Sequence, residues 1–194
     1  PLQTSKNRTR MQNLVRGAVC AVLLGLCGAD GIPVNAACPN GGNVVREAEA
    51  LLDVREATGH NDGPQVAWIL SHVELAEGFS WCGAFVYTAM AEAGVTLPAP
   101  ARAYAWAPTW TAKHVIWRAS EKRRTGEGQT YGDTTQDEPG PGDVFGLWFP
   151  SKQRVAHVGL ITDWQPGNKY TLTIEGNTNT AGSREGDGVY SKRR

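Results

Sequence analysis

The stretch FSWCGAFVYTAMAEAGV, residues 79–95, decides how this chain is interpreted. Ser80 is a favourable N-cap residue and Gly94 a natural C-terminal stop, so the stretch predicts a helix. Its apolar residues recur at helical spacing, and they are Phe85, Val86, Ala89, Met90 and Ala93. Cys82 falls in the first turn. It is either a small side chain that fills a gap in the core or a nucleophile activated by the helix N-terminus.

Helical patterns precede this stretch and strand patterns follow it. Residues 43–57 and 64–75 both place apolar side chains at helical spacing, the second with Pro64 in its first turn and Asp62 as its cap. After an irregular connection over residues 97–141, with a short helix near 109–118, four segments are typical of strands. They are DVFGLWFP, VAHVGLIT, KYTLTIEGN and GVYSKR. Helices followed by an antiparallel meander indicate an α+β domain in which N-terminal helices pack on the sheet.

The leader of the chain has the pattern of a signal peptide. An apolar run, LVRGAVCAVLLGLCGA, follows basic residues and precedes the small-residue stretch VNAAC. The pattern predicts a signal peptide over residues 11–36, with Met11 as its start, and therefore a secreted or periplasmic protein. Residues 1–10 are then an upstream or fragment edge, 37–42 a short linker and 43–194 the folded domain.

Two alternatives for the leader are less favoured. An uncleaved anchor would need about 18 apolar residues to span a membrane, and the run is shorter. A lipoprotein modified at Cys38 would usually have Leu three residues before that cysteine, where this chain has Asn35. Cleavage would leave Cys38 and Cys82, which allow at most one disulfide.

The net charge of the whole chain indicates which kinds of binding partner are unfavourable. The formal net charge at pH 7 is zero, so the chain has no overall attraction for nucleic acid or an anionic membrane. We expect no nucleic-acid partner, no membrane partner after signal cleavage, and a monomer. No two histidines have the spacing of metal ligands, and we expect neither a metal nor a cofactor.

One histidine differs from the other three. His157 interrupts VAHVGLIT, a strand otherwise made of apolar residues and Gly159. A buried imidazole is costly unless a partner satisfies it. On the next predicted strand, Thr173, Glu175 and Asn177 share one face by the two-residue period. Either the Glu175 carboxylate or the Asn177 amide is placed to hold one ring nitrogen and leave the other for the thiol.

Four blocks in the expected order resemble the CHAP family of cysteine, histidine-dependent amidohydrolases and peptidases. The blocks are WCGAFV at 81–86, GDVFGLW at 142–148, AHVGLIT at 156–162 and IEGNTN at 174–179. The resemblance covers roughly residues 43–194. It implies a papain-like α+β fold related to the NlpC-type peptidases. It also implies Cys82 as nucleophile, His157 as general base, and Glu175 and Asn177 as the acidic and amide positions.

The resemblance further implies a function. An exported amide hydrolase of this kind is expected to cleave peptidoglycan through a thioester, at the N-acetylmuramoyl-L-alanine amide or at a peptide bond. The alternatives are an antibacterial cell-wall peptidase toxin and a non-catalytic cell-wall-binding module of the same fold. Aromatic residues either line the substrate groove or pack in the core, and the candidates for substrate binding are Trp81, Tyr104, Trp106 and Trp110.

Overall fold

The computed structural model describes residues 12–15, 40–112, 115–118, 129–130, 138–181 and 186–194. Several predicted segments lie wholly or partly outside the described residues: the upstream edge 1–10, the signal peptide apart from 12–15, residues 37–39 of the linker, residues 113–114, 119–128 and 131–137 of the long connection, and residues 182–185 of the folded domain. The α-helices of the described part are α1 (Gly41–Glu49), α2 (Pro64–Ser71) and α3 (Cys82–Glu92). Short 3₁₀ helices cover Ala101–Ala105, Ala107–Thr111 and Pro150–Lys152.

The strands of the described residues form one antiparallel sheet in the order β3-β2-β1-β4-β5-β6-β7. In chain order they are β1 (Gln12–Val15), β2 (Val115–Arg118), β3 (Gln129–Thr130), β4 (Val144–Phe149), β5 (Arg154–Asp163), β6 (Leu172–Thr178) and β7 (Gly188–Arg193). The last four are the predicted meander, and with the helices they confirm the α+β prediction. Strand β1 falls inside the predicted signal peptide, so its pairing with β4 describes the chain before any cleavage.

Helix α3 is buried along most of its length. It packs against α1, β5, β6 and the 3₁₀ helix at Ala101–Ala105. On the sheet, the side chains that meet the helices are apolar, and they include Val144, Val158, Leu160, Ile174 and Val189. Gly176 allows the close approach of β6, because a Cβ there would lie 2.5 Å from Phe85 Cβ. The backbone of β6 therefore packs in direct contact with the helix that carries Cys82.

Three sequence predictions about the elements need correction. The first helix ends at Glu49, and the chain continues in turns through residue 53. Gly63 caps α2 instead of Asp62, whose carboxylate bonds the backbone N–H and hydroxyl of Thr58. In place of one short helix near 109–118 there are a 3₁₀ turn ending at residue 111 and strand β2, whose branched and aromatic residues favour a strand.

Candidate active site

Cys82 is the first residue of α3, one position closer to the helix end than the sequence predicts. The N-cap is Trp81, not Ser80, and its side chain makes no capping hydrogen bond. Cys82 is 5% exposed and carries a free thiol. The unpaired N–H groups of a first turn attract negative charge. Its position therefore favours a thiolate.

The surroundings of the thiol decide its protonation. Burial raises the pKa of Cys82, but the imidazole of His157 and the backbone N–H groups of Val158 and Gly83 more than compensate. The net effect lowers the pKa of Cys82 below its ordinary value. Hydrogen bonds and a nearby positive charge stabilise the charged form, which for cysteine is the nucleophilic one.

His157 lies on β5 beside a break in strand pairing. Leu147 of β4 pairs with His157 and the next residue of β4 pairs with Val155, so Ala156 is the extra residue of a bulge. Bulges redirect side chains and are common beside active sites. The His157 side chain is 1% exposed, and its Nε2 lies 2.8 Å from Glu175 Oε2.

The other ring nitrogen of His157 is the one left for Cys82. Within the part of the chain that the structure describes, Nδ1 makes no hydrogen bond. The Cys82 side chain lies close enough to raise the pKa of the ring. Burial lowers the pKa of His157, but Cys82 and Glu175 outweigh burial and raise it to about 9. A thiolate and an imidazolium are the states that these two shifts favour.

Glu175 is held as a buried carboxylate. Its Oε1 accepts hydrogen bonds from Thr173 Oγ1 at 2.8 Å and Arg194 Nε at 2.7 Å, and its Oε2 accepts one from a second nitrogen of Arg194. Burial raises the pKa of this carboxyl, but Arg194 and His157 bring it down to about 2. Gly159 leaves room for the side chain, since a Cβ there would lie 2.7 Å from Glu175 Cγ. Glu175 is thus an ionised group fixed against the imidazole.

Asn177 is also buried but makes a different contact. Its backbone has a positive φ of 53°, and its Nδ2 donates to Asn61 Oδ1. Asn61 belongs to the turn TGHNDG, and its own N–H donates to Glu56 Oε2 at 2.9 Å. The other oxygen of Glu56 accepts from Trp81 Nε1 at 2.9 Å. Asn177 therefore joins β6 to the turn that supports the start of α3, and Glu175 is the residue that contacts His157.

An open cleft of about 340 Å³ lies beside the thiol. Cys82 and Ala156 line it together with two exposed aromatic residues, Phe79 and Trp106. Two positively charged side chains, Arg102 and Arg154, also line the cleft. A cleft of this size fits the low end of small-ligand sites.

Of the four aromatic residues predicted to bind substrate, three belong to the core. Trp81, Tyr104 and Trp110 are 0%, 6% and 4% exposed, so their side chains pack inside, contrary to a groove-lining role. Trp110 donates to the Tyr104 carbonyl and Tyr104 accepts from the Ala99 N–H, which satisfies their polar atoms. Of these four candidates, only Trp106 lines the cleft, where it is 54% exposed.

Sequence reasoning missed four residues of this region, one of which is Arg102 in the lining of the cleft. Arg194 grips Glu175, Arg154 stacks on Trp106 with its guanidinium carbon 4.2 Å from the ring centroid, and Phe79 lines the cleft. The signal for Arg194 was the predicted burial of a carboxylate, which calls for a cation. Arginines at strand ends are common, and nothing local distinguishes Arg154.

The described ranges contain neither a metal cluster nor a membrane-spanning helix. No cluster of three or more His, Cys, Asp or Glu side chains there could hold a metal ion. Nor does any helix in those ranges have the length and apolarity needed to cross a membrane.

A family model of the CHAP domain matches residues 75–177. The chain belongs to the CHAP family. The matched range of this CHAP domain begins before the Cys82 helix, includes His157 and Glu175, and ends at Asn177. CHAP domains are generally cysteine- and histidine-dependent amidohydrolases or peptidases, and the family acts on peptidoglycan. Searches of curated proteins and of solved structures found no match to this chain.

Proposed function

We propose that this CHAP domain is an exported peptidoglycan hydrolase that cleaves an amide bond with Cys82 as nucleophile. The observation that carries the proposal is a buried series of interactions, in which the Cys82 thiol acts on His157 and His157 is hydrogen-bonded to Glu175. It joins a thiol of lowered pKa to an imidazole of raised pKa, and an ionised carboxylate fixes that imidazole. A nucleophile, a base and an orienting group in this order are the parts of a cysteine amidase.

The reaction follows from the protonation states. The Cys82 thiolate attacks the carbonyl carbon of the amide and forms a tetrahedral intermediate. The C–N bond then breaks while the His157 imidazolium gives its proton to the leaving amine, and the acyl group remains as a thioester. Neutral His157 next removes a proton from water, which attacks the thioester carbonyl. Loss of the thiolate from the second intermediate releases the carboxylic acid and restores the starting site.

The oxyanion of each tetrahedral intermediate needs hydrogen-bond donors. The first turn of α3 provides backbone N–H groups beside the sulfur, and the side chain of the N-cap residue Trp81 makes no capping hydrogen bond to them. Donors that are already oriented stabilise developing negative charge without reorganisation. We assign the oxyanion site to this first turn.

The substrate bond is one of two kinds. It is either the N-acetylmuramoyl-L-alanine amide or a peptide bond of the stem or cross-bridge. The leader favours export, because its charged, apolar and small-residue segments are those of a signal peptide. Peptidoglycan lies outside the cytoplasmic membrane, so an exported amidase is in position to reach it.

The test is digestion of purified peptidoglycan by the wild-type protein and Cys82→Ala, with Cys38→Ala as a matched control. We expect wild type and Cys38→Ala to release soluble fragments, and Cys82→Ala to release none although it melts at a similar temperature. Mass spectrometry of the fragments identifies the bond from the new ends. Full activity of folded Cys82→Ala, or binding of peptidoglycan by wild type without any cleavage, would refute the proposal.

A further inference from the structure

Among the described residues, the cleft beside Cys82 is lined by two positive side chains and no negative one. Arg102 and Arg154 are both in the lining, while no Asp or Glu of the part of the chain that the structure describes belongs to it. The other residues are mostly apolar or small, and they include Leu75, Phe79, Trp106 and Ala156. A cation beside apolar walls attracts an anionic group more strongly than it would in open water. The cleft is therefore biased toward a substrate that carries a negative charge.

Arg154 is held in place before any ligand binds. Its guanidinium stacks on the Trp106 ring at 4.2 Å, and one of its terminal nitrogens donates to the Val155 carbonyl at 3.0 Å. A guanidinium has five N–H donors in a rigid fork that matches the two oxygens of a carboxylate. Because stacking fixes the plane of the fork, less side-chain entropy is lost when a ligand binds.

Arg102 adds a second charge from another element. It lies in the 3₁₀ helix Ala101–Ala105, and one terminal nitrogen donates to the Glu74 carbonyl at 2.9 Å. That carbonyl lies between α2 and the stretch that leads to Cys82. Arg102 and Arg154 thus reach the cleft from two separate parts of the chain, so the positive lining does not depend on one flexible side chain.

We propose that Arg154, stacked on Trp106, binds a carboxylate of the substrate close to the amide that Cys82 attacks, and that Arg102 strengthens this site. The inference rests on the proposed function and names its substrate class, an acyl peptide with a free carboxylate. Peptidoglycan stem peptides contain such carboxylates, which some walls convert to carboxamides. A carboxamide has no charge and offers one acceptor oxygen where a carboxylate offers two.

The experiment compares two forms of one substrate. Soluble peptidoglycan fragments are used either untreated or after carbodiimide and ammonia have converted their carboxylates to carboxamides. We expect wild type to hydrolyse the untreated form about 10- to 100-fold faster, as loss of a hydrogen-bonded charge pair implies. This comparison needs no variant, so it stands even if a substitution at Arg154 impairs folding.

Variants then assign the preference to Arg154. Arg154→Gln should lower kcat/KM for the untreated form by about 10- to 100-fold and reduce the preference toward one. Arg154→Lys keeps the charge without the fork and should retain part of the preference. The matched control is Arg46→Gln, since Arg46 is an exposed arginine of α1 that pairs with Glu47. It should keep the full preference.

The outcomes separate this inference from the proposed function. If Cys82→Ala is inactive but wild type hydrolyses both forms equally, the carboxylate site is wrong and the amidase proposal stands. The same holds if Arg154→Gln keeps the wild-type preference. If Arg154→Gln slows both forms equally, Arg154 acts through Trp106 on another part of the substrate, which also overturns the carboxylate site. Activity of folded Cys82→Ala would remove the basis of both proposals.

Discussion

His157 Nε2 lies 2.8 Å from Glu175 Oε2, and neither side chain is more than 1% exposed. A hydrogen bond to a charged group that is shielded from water holds both partners in one orientation. Arg194 donates hydrogen bonds to both oxygens of Glu175 and helps to keep this carboxylate ionised. The imidazole therefore has one nitrogen fixed by Glu175 and the other directed to the region of Cys82.

Replacement of the orienting carboxylate should weaken the enzyme without abolishing its activity. We expect Glu175→Gln to lower kcat/KM by about 10- to 100-fold, because the hydrogen bond to the imidazolium loses its charge. Loss of that charge should also lower the pKa of His157 and move the alkaline limb of the pH profile to lower pH. Initial rates on solubilised peptidoglycan over a range of pH measure both effects.

The matched control is a surface carboxylate beside another histidine. Glu92 contacts His72 Nε2 at 3.2 Å with its side chain 48% exposed. Glu92→Gln should leave both the rate and the pH profile as in wild type. A loss in Glu175→Gln as complete as that in Cys82→Ala, or a loss without any movement of the alkaline limb, would contradict an orienting and electrostatic role.

The pH dependence of catalysis should be bell-shaped. Rising pH first forms the thiolate as it passes the lowered pKa of Cys82, and then removes the imidazolium proton as it passes the His157 pKa of about 9. Activity therefore rises on the acid side, and it falls on the alkaline side near pH 9. Both limits belong to the coupled pair, not to either residue alone.

Alkylation separates the thiolate from later steps. The rate at which iodoacetamide modifies Cys82 should reach half its maximum below pH 9.0, the ordinary value for a thiol. In His157→Gln this midpoint should move upward, because the imidazolium no longer stabilises the thiolate. A midpoint at or above 9.0 in the wild-type protein would be inconsistent with an activated Cys82.

Gly83 should be intolerant of even one added methyl group. A Cβ at this position would lie 2.4 Å from the Tyr104 carbonyl oxygen and 2.8 Å from that of Ala105. Both contacts are with backbone, so the chain that leads to Trp106 must move away from α3. We expect Gly83→Ala to lower the free energy of unfolding by about 1–3 kcal/mol, as overpacking does, and to raise KM.

The control for Gly83 is another helical glycine with free space around it. Gly42 lies in α1, and apart from its own helix backbone and chain neighbours no atom of the described residues lies within 4 Å of an added Cβ. Gly42→Ala should be neutral or stabilising by up to about 1 kcal/mol, because alanine has the higher helix propensity. Urea denaturation of both variants makes the comparison. Equal stability of the two would mean that the contact between α3 and the Tyr104 backbone is unimportant.

Much of the fold could be predicted from local patterns. Strands β4 and β5 are apolar runs bounded by turn residues, β6 alternates apolar and polar residues, and α3 has apolar residues at helical spacing; these patterns reflect burial in the core. The prediction places the end of α1 eight residues too late and the N-cap of α3 one residue too early, because burial and neighbouring backbone decide where a helix ends. The irregular segment before β2 had no steady period and was predicted least well.

The sequence by itself determined helix α3, the strands β4 to β7, the family and the residue types that can perform amide hydrolysis. Cys82 at a helix start and His157 in an apolar strand are visible because each departs from its local pattern. Only the tertiary structure decided that Glu175, not Asn177, contacts the imidazole, that Arg194 grips that carboxylate, and that Trp106 alone of four aromatic candidates lines the cleft. Such choices depend on strand register, a bulge and contacts between residues distant in the chain, which no local period encodes.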